Sequence, residues 1–412
     1  MQHLLVRAQQ KEKVTSLDLY VDASQTTTTG TNTSVVSGKL VDSTADFRSL
    51  KPHQVVVNTT DGTATVVDYA ENRTTLVLKN HIFTATSKAY SIDDHTGSSS
   101  DKFKYPQSAL EAMPSTIGII SRVYIADGTY NVMGTTDVIC NRGDVTKAIL
   151  YVNKSFTAGG RIDIIGNVST PANVAFNGTT PSSNAGVFVQ GSQKIEVEGI
   201  KVTNCVHGIT AQEKSSVEVF DTITNSNTYG LSVFSQSVMD CFRVISGESG
   251  AGNSYGAYLE DSNCYIADSA SGANSSSLRY NTTNNIYAVF SRLRALGNVT
   301  ANVNLSNATG WGVIASRGST VDFDYVTIDS SGAGGFQATY ESNASLRDSV
   351  VSNNTTWGIS ADLNSYVNSR DMSGAGNDYG LVSELGSVVQ KVGTQPTGVS
   401  GNELTATGGT II

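Results

Sequence analysis

Cysteine is nearly missing from this sequence. Its four copies are Cys140, Cys205, Cys241 and Cys264, and no two form a CxxC pair. A zinc knuckle and a thioredoxin-like motif are therefore excluded, and buried free thiols are the plain reading, with metal or disulfide use as the alternative. Histidine is equally sparse. His3, His53, His81, His95 and His207 are dispersed without metal-ligand spacing. No GxSxG elbow, phosphate loop or zinc signature is present, so no metal and no cofactor are expected. Only six prolines occur among 412 residues, too few for a Pro-rich disordered linker. Charged residues make up 15% and the net charge is −9, which argues against nucleic acid as the main partner. No apolar run approaches the ~18 residues of a membrane span, so no membrane insertion is expected. The opening "MQHLLVRAQQKEK" also lacks the apolar stretch of a signal peptide. An extracellular role would then require a route other than ordinary secretion.

Glycine, serine, threonine and asparagine are abundant, with 39 glycines alone. Many Asn-x-Ser/Thr triplets follow from that composition, among them Asn281, Asn298 and Asn354, and are read as composition rather than glycosylation. Glycine also recurs with a rhythm. One short phrase has an aromatic residue, then glycine, then alternating apolar residues. Its glycine falls at 186, 208, 230, 256, 312, 335, 358 and 380, with gaps of 22, 22, 26, 56, 23, 23 and 22. The gap of 56 fits two longer turns, with a degenerate start near Asn285-Ile286-Tyr287-Ala288. Self-similarity at about 22 residues must be read before anything else, because it decides the architecture.

Within each unit the period is two. Ile209/Ala211, Leu231/Val233, Phe336/Ala338 and Ile359/Ala361 are apolar, while Thr210, Ser232, Gln337 and Ser360 lie between them. That is a strand with one buried face. Serine follows at a fixed offset in Ser215, Ser237, Ser319, Ser342, Ser365 and Ser387. A second alternating run comes next, as in Val217-Glu218-Val219, and then a short apolar pair. Three short strands per unit with no helix between them predict a parallel β-helix. A leucine-rich repeat would need more leucine, and a propeller a period nearer 40. Coils stack at the ~4.8 Å interstrand spacing, so equivalent residues form columns. The glycines would mark a corner that is crowded or needs positive φ. The aromatics and serines would stack in ladders.

The predicted fold is all-β: a right-handed parallel β-helix of about 22 residues per coil, preceded by a small N-terminal β-barrel. Residues 1–32 read as an N-terminal arm or linker. Residues 33–93 alternate strongly and read as the barrel, with a turn at Asn72. Residues 94–114 read as a linker and a short amphipathic helix stopped by Pro114, which plugs the open end of the core. Residues 115–393 are the β-helix and 394–412 a Thr/Gly-rich tail.

Two stretches carry a family resemblance. Residues 40–92 resemble a small β-domain of tailed-phage structural proteins, through Asp42–Phe47, the Asn58–Gly62 turn "NTTDG", "TTLVL" at 74–78, and Ile82-Phe83. "YPQSALEAMPSTIGIISRVYIADGTYNV", residues 105–132, is similar to the opening segment of right-handed parallel β-helix proteins, including pectate-lyase-like enzymes and phage tailspikes. The resemblance implies a virion protein, folded in the host cytoplasm. Its N-terminal region would attach to other virion proteins. Its β-helix would form a homotrimer and meet a host surface polysaccharide. The short tail departs from large tailspikes, which weakens a free-standing depolymerase. The fold itself hosts many chemistries.

The second strands carry an acidic column. Glu196, Glu218 and Asp240 occupy equivalent positions on three successive coils, with Asp322 further on, and Glu198, Asp268 and Asp324 lie two residues later in their coils. Stacked carboxylates at ~5 Å suit a retaining glycosidase. Glu218 and Asp240 are the candidate catalytic pair, and a solvated acidic face or a cation site are the other readings of the same column. Tyr258, Tyr265, Tyr280 and Tyr287, with Arg292, crowd the longer coils and are the candidate ligand-binding residues, because solenoid insertions map to binding faces. Packing in a subunit interface explains the same tyrosines equally. Arg279, Arg294, Arg317, Arg347 and Arg370 read as solvated or subunit-contacting. The functional expectation is a tail spike, tail fibre or similar appendage that contacts host glycan. A polysaccharide-degrading β-helix enzyme and a purely structural rod are the alternatives.

Overall fold

A computed structural model describes residues 16–131, 147–178, 184–267, 275–298 and 302–412. Among these, short strands stack into parallel sheets of 13, 11 and 9 strands. One coil shows the path. Tyr229–Phe234 lies in the 11-stranded sheet, Val238–Phe242 in the 13-stranded sheet and Ile245–Ser246 in the 9-stranded sheet. The chain then re-enters the 11-stranded sheet at Tyr255–Glu260, in register beneath its predecessor. This is the right-handed parallel β-helix expected from the period. Its core is one continuous apolar stack running from Leu19 to Val389.

The ladders hold the coils in register. Ser319 N donates to Ser342 Oγ at 3.2 Å, Ser342 N to Ser365 Oγ at 3.1 Å, and Ser365 N to Ser387 Oγ at 2.9 Å. The serine ladder also takes in Ser192, Ser262 and Ser291. A second ladder is made of asparagine. Asn227 N donates to Asn253 Oδ1, Asn253 N to Asn281 Oδ1, and Asn354 N to Asn377 Oδ1. Both satisfy buried corner amides that the sheets cannot reach. The aromatic column stacks as expected, with Tyr229 and Tyr255 at 5.4 Å between ring centroids. Cys205, Cys241 and Cys264 are buried and free, and Cys140 lies outside the described residues.

The boundaries move at both ends. Leu17–Val21 pairs in parallel with Ile120–Ile125, so it is a strand of the 13-stranded sheet and not part of an arm. The barrel begins at Thr28–Thr31 and is inserted between that strand and the rest of the β-helix. At the other end, Gly398–Thr405 and Thr410–Ile411 continue the 11- and 13-stranded sheets. The stretch read as a tail is a further coil. Its Thr/Gly-rich composition hides it, because it lacks the apolar alternation that marks the other coils.

The barrel runs from Thr28 to Ile92 as seven antiparallel strands. The two edge strands, Thr28–Thr31 and Ser34–Val36, are consecutive in the chain, so the sheet curls back on itself. Asn32 N donates to Lys88 O on one side and Thr33 N to Val41 O on the other. Phe47, Phe83 and Tyr90 fill the interior, and the Tyr90 hydroxyl donates to Asp42 at 2.8 Å. The helix Pro106–Ala112 then buries Ala109 and Leu110 in the top of the β-helix core, as expected of a plug.

Candidate functional site

Strand alternation turns every second residue of the 13-stranded sheet outward. Register then places Asp18, Arg122, Asp163, Glu196, Glu218, Asp240, Tyr265, Arg294 and Asp322 in one outer row. Its two ends neutralise themselves. Arg122 reaches Asp18 at 3.4 Å and Asp163 at 3.7 Å, and Arg161 reaches Asp163 at 2.6 Å and Glu196 at 3.3 Å. At the far end Arg294 pairs with Asp322 at 3.4 Å and Arg347 with Asp324 at 3.4 Å. The middle is different. Glu218 and Asp240 form no ion pair among the described residues.

Glu218 and Asp240 differ in environment as well. Glu218 is exposed, whereas Asp240 is half-buried. Burial pushes the Asp240 carboxyl above its usual pKa, and the Glu218 charge adds to the rise. Burial also raises Glu196, opposed by Arg161. Glu198 rises through burial and then the Asp221 charge. In-register neighbours on adjacent strands sit ~4.8 Å apart. That spacing lies close to the ~5–5.5 Å carboxyl separation of retaining glycoside hydrolysis.

Beside this pair lies an aromatic platform. Phe220 and Phe242 stack at 4.9 Å and 11°, and Tyr265 meets Phe242 edge-on at 6.0 Å. Arg294 lies 5.8 Å from the Tyr265 ring. Sequence reasoning misses Phe220 and Phe242 as site residues. Their signal was available, since each lies two residues beyond an acidic member of the row and so faces the same way. Carboxylates beside flat apolar rings are the groups that hold a sugar, one set for its hydroxyls and the other for its ring faces.

The expected ligand-binding residues do not converge. Tyr265 and the exposed Arg292 share the face of Glu218 and Asp240. Tyr258 and Tyr287 stand instead on the outer face of the 11-stranded sheet, 5.6 Å apart, clustered with Tyr229 and Tyr255. Tyr280 sits at a corner with φ 57°, beneath the Arg279 guanidinium. The single groove expected around the longer coils is thus divided over separate sides of the stack, because the strand on which a residue falls decides its face. His207 packs as expected. It is fully buried, 5.0 Å from the Tyr229 ring, with Nδ1 2.9 Å from Ser232 Oγ. Asp268 lies outside the described residues. Among the described residues no group of three or more His, Cys, Asp or Glu side chains could hold a metal ion.

No family model matches the chain. No curated protein matches it either. Solved structures do. The A-module of the Azotobacter vinelandii mannuronan C-5 epimerase AlgE4 shares 10% identity at a TM-score of 0.41, over 69% of this chain and 88% of that one. Pectate lyase Pel9A shares 12% at 0.37, over 69% of each chain. The catalytic domain of a GH87 α-1,3-glucanase in complex with tetrasaccharides shares 12% at 0.35, over 84% and 76%. At such low identity and TM-score these similarities say nothing about what this chain binds.

Proposed function

We propose that this protein is a virion appendage of a tailed phage, of the tail-spike or tail-fibre kind, that contacts a bacterial surface polysaccharide through the outer face of its 13-stranded sheet. One observation carries the glycan part. Glu218, Asp240, Tyr265 and Arg294 stand in register on consecutive coils beside the Phe220–Phe242 stack. A row repeating at strand spacing along a rigid stack suits an extended chain of repeating units, with carboxylates accepting from hydroxyls and rings lying against sugar faces. The barrel is the part proposed to dock on other virion proteins. This rests on its resemblance to phage β-domains and on its position at one end of the stack.

The unequal environments of Glu218 and Asp240 favour a second reading, in which the bound glycan is also cleaved. A half-buried carboxyl whose pKa is raised by burial, beside an exposed carboxylate, is the arrangement of an acid and its partner. Asp240 would be the general acid and Glu218 the carboxylate opposite.

Both readings are open to one set of measurements. Purified capsular and O-chain polysaccharides are titrated against the protein, and Tyr265→Ala and Phe242→Ala are expected to weaken binding about tenfold each, the scale of an interface anchor. Unchanged binding in both variants, or no binding by any polysaccharide, removes the assignment of this face. If reducing ends appear, Asp240→Asn should abolish them. The rate should also fall as pH rises, because Asp240 must be protonated to act and its raised pKa sets the upper limit.

A further inference from the structure

A groove of about 360 Å³ runs along the outer face of the 9-stranded sheet. Its floor is the outward row Ile223, Ile245, Ser277 and Asn304, in register on consecutive coils. Asp221 and Arg243 stand along one side, each two residues before its floor residue, and Arg279 stands on the other, two residues after Ser277. Val168 and Pro171 wall the end nearer the first coils.

The donors of this groove outnumber its acceptors. Arg243 is committed, since its Nε donates to Asp221 Oδ1 at 2.7 Å. Arg279 is not. It forms no ion pair among the described residues, its Nε is buried without an acceptor, and its guanidinium is held 5.4 Å over the Tyr280 ring. Glu248 on the neighbouring coil accepts from Asn225 Nδ2 and makes no ion pair with Arg279. Ser277 is only 6% exposed, and its Oγ also has no partner. A buried donor left without an acceptor is costly, and more so on a charged group. Two arginines against one aspartate leave the described lining with one positive charge, in a chain whose net charge is −9. Ser277 and Arg279 lie two residues apart on the same outer face, ~7 Å between Cα atoms, so one oxyanion can accept from both. The half-buried Ile223 and Ile245 continue the floor with apolar surface. The volume exceeds that of a bare inorganic ion and lies at the small end of pockets for organic ligands, roughly 300–1,000 Å³.

We infer that this groove binds a small organic oxyanion, with its carboxylate or phosphate on Arg279 and Ser277 and its apolar body along Ile245 and Ile223. The site lies round the corner from the row on the 13-stranded sheet and does not depend on it.

Calorimetric titration of the full chain at low salt with hexanoate, hexyl phosphate, hexanol and inorganic phosphate tests the assignment. At least one of the two alkyl anions should bind, about tenfold or more tightly than hexanol or inorganic phosphate, and the better of the two identifies the head group. Arg279→Gln should weaken that binding about tenfold and Ser277→Ala about threefold, the scales of a charged and a neutral hydrogen bond. The Ser277 hydroxyl bonds nothing within the protein, so Ser277→Ala should melt no lower than the parent while binding less well, which a merely structural role would not give. Tyr265→Ala should leave the affinity unchanged, which separates this groove from the polysaccharide face. No binding of either alkyl anion, equal affinity for hexanol or inorganic phosphate, or unchanged affinity in Arg279→Gln overturns the inference.

Discussion

At Gly230 an added Cβ would lie 2.1 Å from Ser246 Oγ and 2.7 Å from both Asn253 Nδ2 and Thr224 Oγ1. The recurring glycine is therefore kept by crowding, and positive φ falls elsewhere. The left-handed corners lie before the ladder serines, at Glu213–Lys214, Ser235–Gln236, Tyr340–Glu341 and Leu363–Asn364 without glycine and at Arg317–Gly318 and Leu385–Gly386 with it. A leucine at position 230 should lower stability by roughly 3 kcal/mol or more, the upper range for overpacking, because the Asn253 ladder must also move. Thermal melting of Gly230→Leu measures it, and a melting temperature equal to the parent would refute the crowding argument. The serine ladder was legible because serine recurs at one offset. The asparagine ladder was not, because Asn227, Asn253 and Asn281 are scattered among many other asparagines and only the coil geometry aligns them. Thr210, Ser232 and Ser360 show the opposite failure. They alternate outward, as expected, yet each is fully buried. For Thr210 and Ser232 the cover is visible in Phe188, His207 and Tyr258, which stand next to them on the same face.

Among the elements, the plug helix has the most to do for its length. Pro106–Ala112 spans two turns at most, far too short to be stable alone. It persists because Ala109 and Leu110 are fully buried against the first coil. Leu110→Ala should cost about 2–5 kcal/mol, as for other buried leucines, and the loss should expose the top of the core. Hydrogen exchange would detect this as weakened protection in Ile120–Ile125 and Lys147–Val152 before the lower coils. Uniform loss over the whole stack would mean that the helix is not a local cap. The helix was legible from Pro106, the amphipathic run and Pro114. The strand Leu17–Val21 gives no such signal, because a single short strand has no repeat to belong to. Only its pairing with Ile120–Ile125 reveals its place.

For the whole molecule, the homotrimer remains a proposal, and its support changes. Thr210, Ser232 and Ser360 alternate outward along the first strands but are fully buried, so they offer no hydroxyl-rich face for it. A different surface takes its place. Along one corner of consecutive coils, backbone hydrogen bonds connect the turns at Phe290, Arg317, Tyr340, Leu363 and Leu385. Phe290 is 60% exposed, Tyr340 55% and Leu385 41%. All three hold left-handed φ, which bulky side chains avoid. An apolar ridge that is both exposed and strained is the pattern expected where a neighbouring copy covers it. Cyclic closure of three stacks would bury it without open-ended growth. Light scattering should give three chains for the parent and a smaller particle for Phe290→Asp/Tyr340→Asp. A parent that is monomeric at micromolar concentration would sink the trimer.

Local pattern alone determined the coil. A period of about 22 residues, alternation within it and a glycine at each return leave little choice but a solenoid of short strands, because no single coil can bury its own apolar face. The same pattern picked out Glu218 and Asp240, since equivalent positions in a repeat must stack. What the tertiary structure decided was company. Whether a carboxylate meets an arginine depends on the residue one coil away, and so Glu196 is paired while Glu218 and Asp240 are not. Which side of the stack a tyrosine occupies depends on where the longer coils turn, and so Tyr265 joins the carboxylates while Tyr258, Tyr280 and Tyr287 do not. The cleft between the barrel strand Thr63–Asn72 and residues 151–154 has no trace in the sequence, because those stretches are far apart in the chain and come together only where the inserted barrel rests on the first coils.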